Sequence, residues 1–360
     1  MDSNTFYASL VQLGAWLRGD EPGAGGADAD LLRRAEVGNA WFTADNVATA
    51  MRAHGEALRP EVLAEWRRRA GESWVEDPMA VEEGRRKRVG LVLAGNLAMV
   101  GWHDVLCVVM AGHVAVVKCS RDDAVLIPAA VERWAQLLPA VRERVVFTEA
   151  RLPELDAIVV TGSSNTSRHF DYYFRHLPRL IRGTRTGVAV LDGRETEEEL
   201  RALGRDVFLH FGLGCRSATH LFLPADFDVN RLFAAWMEWS HLAAHNKYAN
   251  NVDYHRAVWL LNGEALLENG VFLLKEDPAW VSPVGSLFYT RYTDIAPVWS
   301  AIAQGADGIQ CLLMRRGWRP DVPLGVAVVD AGLGQFPQPW DYADGADTLS
   351  FLHGLHLGHG

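Results

Sequence analysis

The chain has 360 residues, of which 49% are hydrophobic and 22% charged, and this ordinary globular composition excludes a disordered, collagenous or coiled-coil polypeptide. A formal charge of −10 argues against a general nucleic-acid footprint. Four cysteines without a CxxC pair fit a reducing compartment and leave each thiol to be explained singly.

The length suggests two domains. The first twenty residues lack the basic n-region, pure apolar stretch and small-residue cleavage site of a secretory leader. The most apolar segment, Val89–Val117, is interrupted by Asn96, His103, Asp104 and His113, polar groups that a membrane span tolerates poorly. The expectation is a cytoplasmic protein with no membrane span.

In chain order, a short N-terminal helix ends at the flexible break Gly19–Asp30. Leu31–Ala70 is amphipathic at helical period, and either Thr43 or Asp45 could cap the helix through Val47 and Met51. Apolar strands then alternate with helices. Strands are expected at Arg88–Ala94, Val114–Lys118, Arg144–Phe147, Ala157–Thr161 and Gly187–Leu191; helices are expected up to Met110, over Ala124–Leu138 and over Ser164–His176. Such strands, without period-two polarity, indicate a parallel sheet covered on both faces and joined by right-handed crossovers. Residues 88–192 read as a doubly wound domain of nucleotide-binding type.

A second α/β unit starts after Asp192. Thr196 and Glu199 have capping-box spacing at its first helix, and another helix is expected over Val229–Ala243. Strands are expected at His220–Leu223, Ala257–Leu261, Ser286–Tyr292 and Gln310–Met314.

No GxGxxG follows the first strand, and neither GxxxxGK[ST] nor HExxH occurs. A nucleotide would therefore be held without a P-loop. His353, His356 and His359 at threefold spacing read as a flexible C-terminal end rather than a metal site. Cys107, Cys119 and Cys311 lie among apolar residues that suit buried, inert thiols. Cys215 lies in HFGLGCRS, where two glycines uncover the thiol and Arg216 adds positive charge. Both favour a reachable thiolate, although an incidental cysteine in a glycine-rich turn would look the same. Asn96 sits in a glycine turn after a strand, at the sheet edge where ligands bind; it could donate to an oxyanion or simply stabilise the turn. Gly162 and Ser163 stand between a strand and a helix, where backbone amides can face phosphate. Lys118 closes a strand and could reach a ribose or phosphate, or be a solvated strand end. His103, His245 and His255 are candidate proton donors that read equally as structural histidines.

The order of these pieces carries a resemblance. Strand–Gly95-Asn96–helix, VVKCS (116–120), AIVVTGSSNTSRHF (157–170), VAVLDG (188–193), FGLGCRS (211–217) and SPVGSLFYTRYTD (282–294) resemble the aldehyde dehydrogenase superfamily. HNKYANNVDYHRA (245–257) and PWDYADGADTLSFL (339–352) narrow it to the LuxC-like acyl-CoA reductases, which make fatty aldehyde in bacterial luminescence. The resemblance covers the chain from about Asn39 onward.

It implies an α/β, aldehyde-dehydrogenase-like fold of two doubly wound domains behind an N-terminal helical segment. The expected division is 1–192 for the helices and cofactor domain, 193–338 for the catalytic domain and 339–360 for a C-terminal tail. Cys215 matches the nucleophile, and Asn96 the amide that forms the oxyanion hole with the Cys215 N–H. On the cofactor side stand Gly162 and Ser163 at the pyrophosphate turn, Lys118 at the adenosine ribose, Asp192 and Gly193, and Pro283 beside the nicotinamide ribose. The implied cofactor is NADPH, with NADH as the variant, and no metal is implied. Hydrolytic relatives carry a glutamate base in an ELGG-like segment; the stretch matched to it here is Val190–Gly193, with the shorter Asp192. Losing that base points from water attack toward thiol-to-thiol acyl transfer. The expected reaction is therefore reduction of an acyl-CoA or acyl-carrier thioester to the aldehyde. Partners allowed by the resemblance are that thioester, a second copy of the chain or an acyl-supplying protein. A cysteine acyltransferase or thioesterase and a non-catalytic scaffold are the rival readings.

Overall fold

The computed structural model describes residues 3–20, 28–150, 152–162 and 170–357. They divide into two units, Met1–Gly183 with Gln338–Gly360, and Thr184–Pro337.

The first unit opens on helices α1 (Ser3–Arg18), α2 (Ala29–Gly38), α3 (Ala44–Glu56) and α4 (Pro60–Ala70). Phe6, Leu10, Leu13 and Leu17 recur at helical spacing along α1 and are buried, so one stripe of the helix faces the core. Asp28 caps α2 by accepting the Leu31 N–H. At α3 the cap is Thr43, which accepts the Asn46 N–H at 3.3 Å. Pro60 starts α4 at a position where no backbone donor is needed.

Strands β1 (Arg88–Val92), β2 (Val114–Lys118), β3 (Val145–Phe147), β4 (Ala157–Thr161) and β5 (Arg179–Arg182) form one sheet in the order β3-β2-β1-β4-β5. Every pairing in it is parallel. Helix α5 (Trp102–Met110) connects β1 to β2, and α6 (Leu126–Leu137) connects β2 to β3. The chain thus runs outward from β1 to β3 and then returns to β4 on the other side of β1. The direction reverses between β1 and β4, the point where open parallel sheets form a ligand crevice. β5 was not expected from the sequence. Of the helix expected over 164–176, residues 170–173 are helical, and 163–169 lie outside the described residues.

The second unit starts at β6 (Thr186–Val190), followed by α7 (Glu197–Phe208) with the expected Thr196–Glu199 capping box. It continues through β7 (Ala218–Pro224), α8 (Asn230–Ala235), α9 (Asn246–Leu261), β8 (Leu267–Glu268), β9 (Leu273–Glu276), β10 (Ser286–Tyr292), α10 (Ala296–Gln304), β11 (Ile309–Met314) and β12 (Val328–Asp330). The sheet order is β12-β11-β6-β7-β10-β9-β8. All its pairings are parallel except β8 with β9. β6 lies between β7 and β11, so Gly187–Val190 belongs to this second sheet.

Two sequence expectations fail here. Ala257–Leu261 is the last part of α9, not a strand; a five-residue apolar run carries no period of its own, and Trp259 is simply the buried side of a helix whose upstream contact is Val252. The helix expected over 229–243 breaks at Trp236, with a 3₁₀ stretch from Met237 to Ala244. Past Pro337 the chain returns to the first unit, where Asp347 caps the C-terminal helix α11 (Thr348–His356) by accepting the Ser350 N–H.

Candidate functional site

Three of the sequence-predicted residues gather at the carboxyl edge of the first unit's sheet. Lys118 ends β2, Asn96 follows β1, and Gly162 follows β4, on adjacent strands in the order β2-β1-β4. Asn96 is exposed in the bend after β1, and its turn is held from two sides. A side chain at Gly95 would place Cβ 2.6 Å from Ser120 Oγ and 2.7 Å from Ser120 Cβ, so only glycine lets this turn pack on the loop after β2. The Gly95 carbonyl accepts from Asn39 Nδ2 at 3.3 Å. Just beyond, Met99 has a left-handed φ of 58°. Its N–H donates to Asp123 Oδ2 at 2.7 Å, and Asp123 Oδ1 accepts the Leu126 N–H. Burial pushes the Asp123 carboxyl up to about 6, against the two N–H groups that favour its charge.

Lys118 Nζ donates to the Ala150 carbonyl at 3.2 Å. It borders a cleft of about 690 Å³ whose walls include Leu152, Phe170, Tyr173, Phe174 and Glu154. The Gly162 N–H donates to the Arg182 carbonyl at the end of β5. Ser163 lies outside the described residues.

A second group stands at the amino edge of the second unit's sheet. The Ser217 N–H donates to the Gly214 carbonyl at 3.0 Å, closing a four-residue turn with Cys215 and Arg216 at its corner. The Gly214 N–H donates back to Ser217 Oγ at 3.1 Å. Cys215 is exposed, whereas Cys107 and Cys311 are buried and Cys119 is half-buried. Burial pushes Cys119 and Cys311 up to about 12 and Cys107 well up, so those three stay protonated. Cys311 lies behind the turn, its thiol 3.8 Å from the Arg216 carbonyl.

The approach to Cys215 is strained. His210 and Phe211 have φ of 54° and 60°, and Gly212 follows at 71°. Two consecutive non-glycine residues in this region cost on the order of 1–2 kcal/mol each, so surrounding packing must impose them. Phe211 is buried with its ring 4.4 Å from His245 and 5.9 Å from Tyr248, on the first turn of α9. His245 caps that helix by accepting the Tyr248 N–H at Nδ1. The Pro283–Gly285 turn reaches the same edge ahead of β10. Pro283, Val284, Phe211, Gly212 and Tyr248 border one water-sized gap of about 20 Å³. Cys215 and Pro283 therefore belong to one neighbourhood.

Asp192 and Gly193 do not. They follow β6 at its carboxyl end, whereas the Cys215 turn precedes β7, and Gly187 pairs with Ala218 while Val190 pairs with Phe222. Some five residues of parallel strand separate the two edges, roughly 16 Å at about 3.3 Å per residue. Asp192 is engaged by Arg315 at 2.8 Å, and Glu195 accepts both the Asp192 and Gly193 N–H groups. Burial opposes charge on Asp192, yet the Arg194 N–H and the Arg315 guanidinium hold its carboxyl below the usual range. Asp192 and Gly193, expected on the cofactor side, thus lie at the opposite edge of this sheet from the Cys215 turn.

His103 is structural: its ring stacks on Trp66 at 5.3 Å, Nε2 pairs with the Pro339 carbonyl at 2.8 Å, and burial lowers its basicity. His255 packs beside Trp259. Sequence reasoning missed the supports of both turns, Asn39 and Asp123 in the first unit and Gln335 in the second. Of these only Asp123 had a local signal, an aspartate three residues ahead of a helix start.

With this geometry in hand, comparison with solved structures is decisive for the fold. Δ1-pyrroline-5-carboxylate dehydrogenase from Mycobacterium tuberculosis superposes with a TM-score of 0.59 over 98% of this chain and 77% of its own, at 16% identity. The NAD-dependent aldehyde dehydrogenase from Sinorhizobium meliloti gives 0.58 over 91% and 75%, at 13% identity. A variant of proline utilization A from Bradyrhizobium japonicum gives 0.62 over 93% of this chain and 39% of its own, at 17% identity. The fold is that of the aldehyde dehydrogenases. The expected aldehyde-dehydrogenase-like α/β class is borne out. No protein-family model and no curated protein matches the chain. Among the described residues no helix is long and apolar enough to cross a membrane.

Proposed function

We propose that the chain is an acyl-thioester reductase of the LuxC-like kind, converting an acyl-CoA to an aldehyde through an acyl-cysteine on Cys215. The observation that carries this reading is the Gly214–Ser217 turn, which displays the one exposed thiol beside a strained approach on an aldehyde dehydrogenase fold.

The Cys215 thiolate attacks the thioester carbonyl, and CoA leaves as its thiolate. The developing oxyanion is assigned to the Cys215 N–H and the Asn96 amide, on the order of motifs along the chain. Asp192 is committed to Arg315 at the other sheet edge, so it does not activate water against the acyl-cysteine; that favours a second acceptor over hydrolysis. A nicotinamide dinucleotide, when bound, supplies hydride to the acyl carbonyl, after which Cys215 is released as thiolate. The carboxyl edge of the first unit fits such a group in its donor set. Lys118 offers a cation at an aromatic-walled cleft. Lys118 favours NADPH, and Glu154 on the same cleft favours the unphosphorylated ribose of NADH; titration of both cofactors decides between them.

The test is incubation of the purified chain with acyl-CoAs of graded length and each reduced nicotinamide, with the aldehyde identified by mass spectrometry. Aldehyde formation that disappears in Cys215→Ser is the expected result. Acyl-CoA consumption without nicotinamide oxidation would instead make the chain an acyltransferase or thioesterase. Unchanged turnover by Cys215→Ser would overturn the assignment of the nucleophile.

A further inference from the structure

Ser217 closes the Cys215 turn and is fully buried. A hydroxyl has two acceptor lone pairs, and here one takes the Gly214 N–H at 3.1 Å and the other Gln335 Nε2 at 3.2 Å. The same Gln335 nitrogen donates to the Asp206 carbonyl at 3.4 Å. Asp206, buried on α7, holds the loop that carries Gln335: its carboxylate accepts the Gly332 and Gly334 N–H groups, the latter at 2.9 Å. A contiguous set of hydrogen bonds therefore runs from Asp206 through the 332–335 loop and Ser217 to the turn under Cys215, spanning 118 residues between Ser217 and Gln335.

We propose that Gln335 is a positioning residue for the Cys215 nucleophile, acting through Ser217 to hold the turn that presents the thiol. The proposal rests on the reading of Cys215 as nucleophile and adds to it the residue that fixes its orientation. Gln335 touches neither the thiol nor the acyl carbonyl, so its effect belongs in kcat rather than KM. A reacting group misplaced by about 1 Å loses roughly 100-fold in rate, and loosening one turn should cost about 10–100-fold.

The test uses Gln335→Glu, which keeps the shape and removes both donors, with Ser217→Ala, Ser217→Thr and the Gln335→Glu/Ser217→Ala pair. Two readouts are followed: steady-state acyl-CoA reduction, and alkylation of Cys215 by iodoacetamide at fixed pH, located by peptide mass. Both single variants should lower kcat with KM held within about twofold, and slow Cys215 alkylation about tenfold. The pair should lose no more than Ser217→Ala alone, because that change already removes the Ser217–Gln335 bond along with the one from Gly214. Ser217→Thr, which keeps the hydroxyl, should recover most of the rate. Wild-type alkylation and kcat in Gln335→Glu overturn the proposal, as does a strictly additive pair. If the wild type reduces no acyl-CoA yet both single variants slow alkylation, the reductase reading fails and the positioning role stands. Gln335 is only half-buried, so its variant still decides the matter if Ser217→Ala does not fold.

Discussion

Cys215 and Cys311 lie on either side of the same turn and differ almost wholly in exposure. Burial holds the Cys311 thiol near 12 while Cys215 meets solvent. Iodoacetamide at neutral pH should therefore label Cys215 first, leave Cys107 and Cys311 unmodified in the folded protein, and reach them only in urea; peptide mass mapping reads this directly. Asn96→Ala should lower kcat/KM for thioester reduction by about 10²–10³-fold, the loss usual for one oxyanion donor, while leaving the melting temperature nearly unchanged because the side chain is exposed. The glycine-flanked Cys215 and the strand-terminal Asn96 were legible in the sequence because their signals are local. Asn39, Asp123 and Gln335 were not, since each acts on a turn 24 to 118 residues away. Asp123 also carries a pH dependence. Burial raises its folded value to about 6, above its unfolded value near 3.9. The folded state thus binds this proton more tightly, and the stability it brings is complete below the unfolded value and lost as pH rises through about 6. Melts of the wild type against Asp123→Asn should show the wild type's relative stability greatest near pH 4 and falling by on the order of 2–3 kcal/mol by pH 7; a pH-independent gap would refute the account.

At the scale of elements, the junction of β6 and β7 sets where the nucleophile turn lies. Gly187 pairs with Ala218, and its N–H donates to the Ser217 carbonyl at 2.9 Å. A Cβ there would fall 2.6 Å from the Arg216 carbonyl and 2.9 Å from that of Ser217, and backbone cannot yield as a side-chain tip can. Gly187→Ala should cost about 1–3 kcal/mol by overpacking and slow Cys215 alkylation in the same variant, as a urea melt and the labelling rate together would show. The strands flanking this junction were legible as apolar runs between helices. The edge strands β8 and β12, of two and three residues, were not, because so short a run has no pattern to read. The error at Ala257–Leu261 has the same origin, with the helix decided by packing of Val252 and Trp259 rather than by local preference.

For the molecule as a whole, the second unit is an insertion in the sequence of the first, which is completed only by the chain's last segment. What ties that segment down is a buried ion pair. Arg182, at the end of β5, donates to both oxygens of Asp104 on α5, at 2.7 and 2.8 Å, and to Thr348 Oγ1 at the start of α11, also at 2.7 Å. Both charged side chains are at most 5% exposed. Around them Leu349 and Leu352 of α11 are buried, and His113 meets the Leu352 carbonyl. Removing one partner of a buried pair leaves the other charge stranded and typically costs about 3–5 kcal/mol, whereas replacing both with apolar residues of similar volume is often close to neutral. Asp104→Leu should therefore destabilise the chain strongly and free α11 to early proteolysis. The double change Asp104→Leu/Arg182→Met should recover most of the loss in a urea melt, except for the bond to Thr348. If the double variant were as unstable as the single, the pair would be holding α11 through its geometry rather than through charge balance. The proteolysis pattern separates these cases, because a geometric role would leave 338–357 cleavable in the double variant as well.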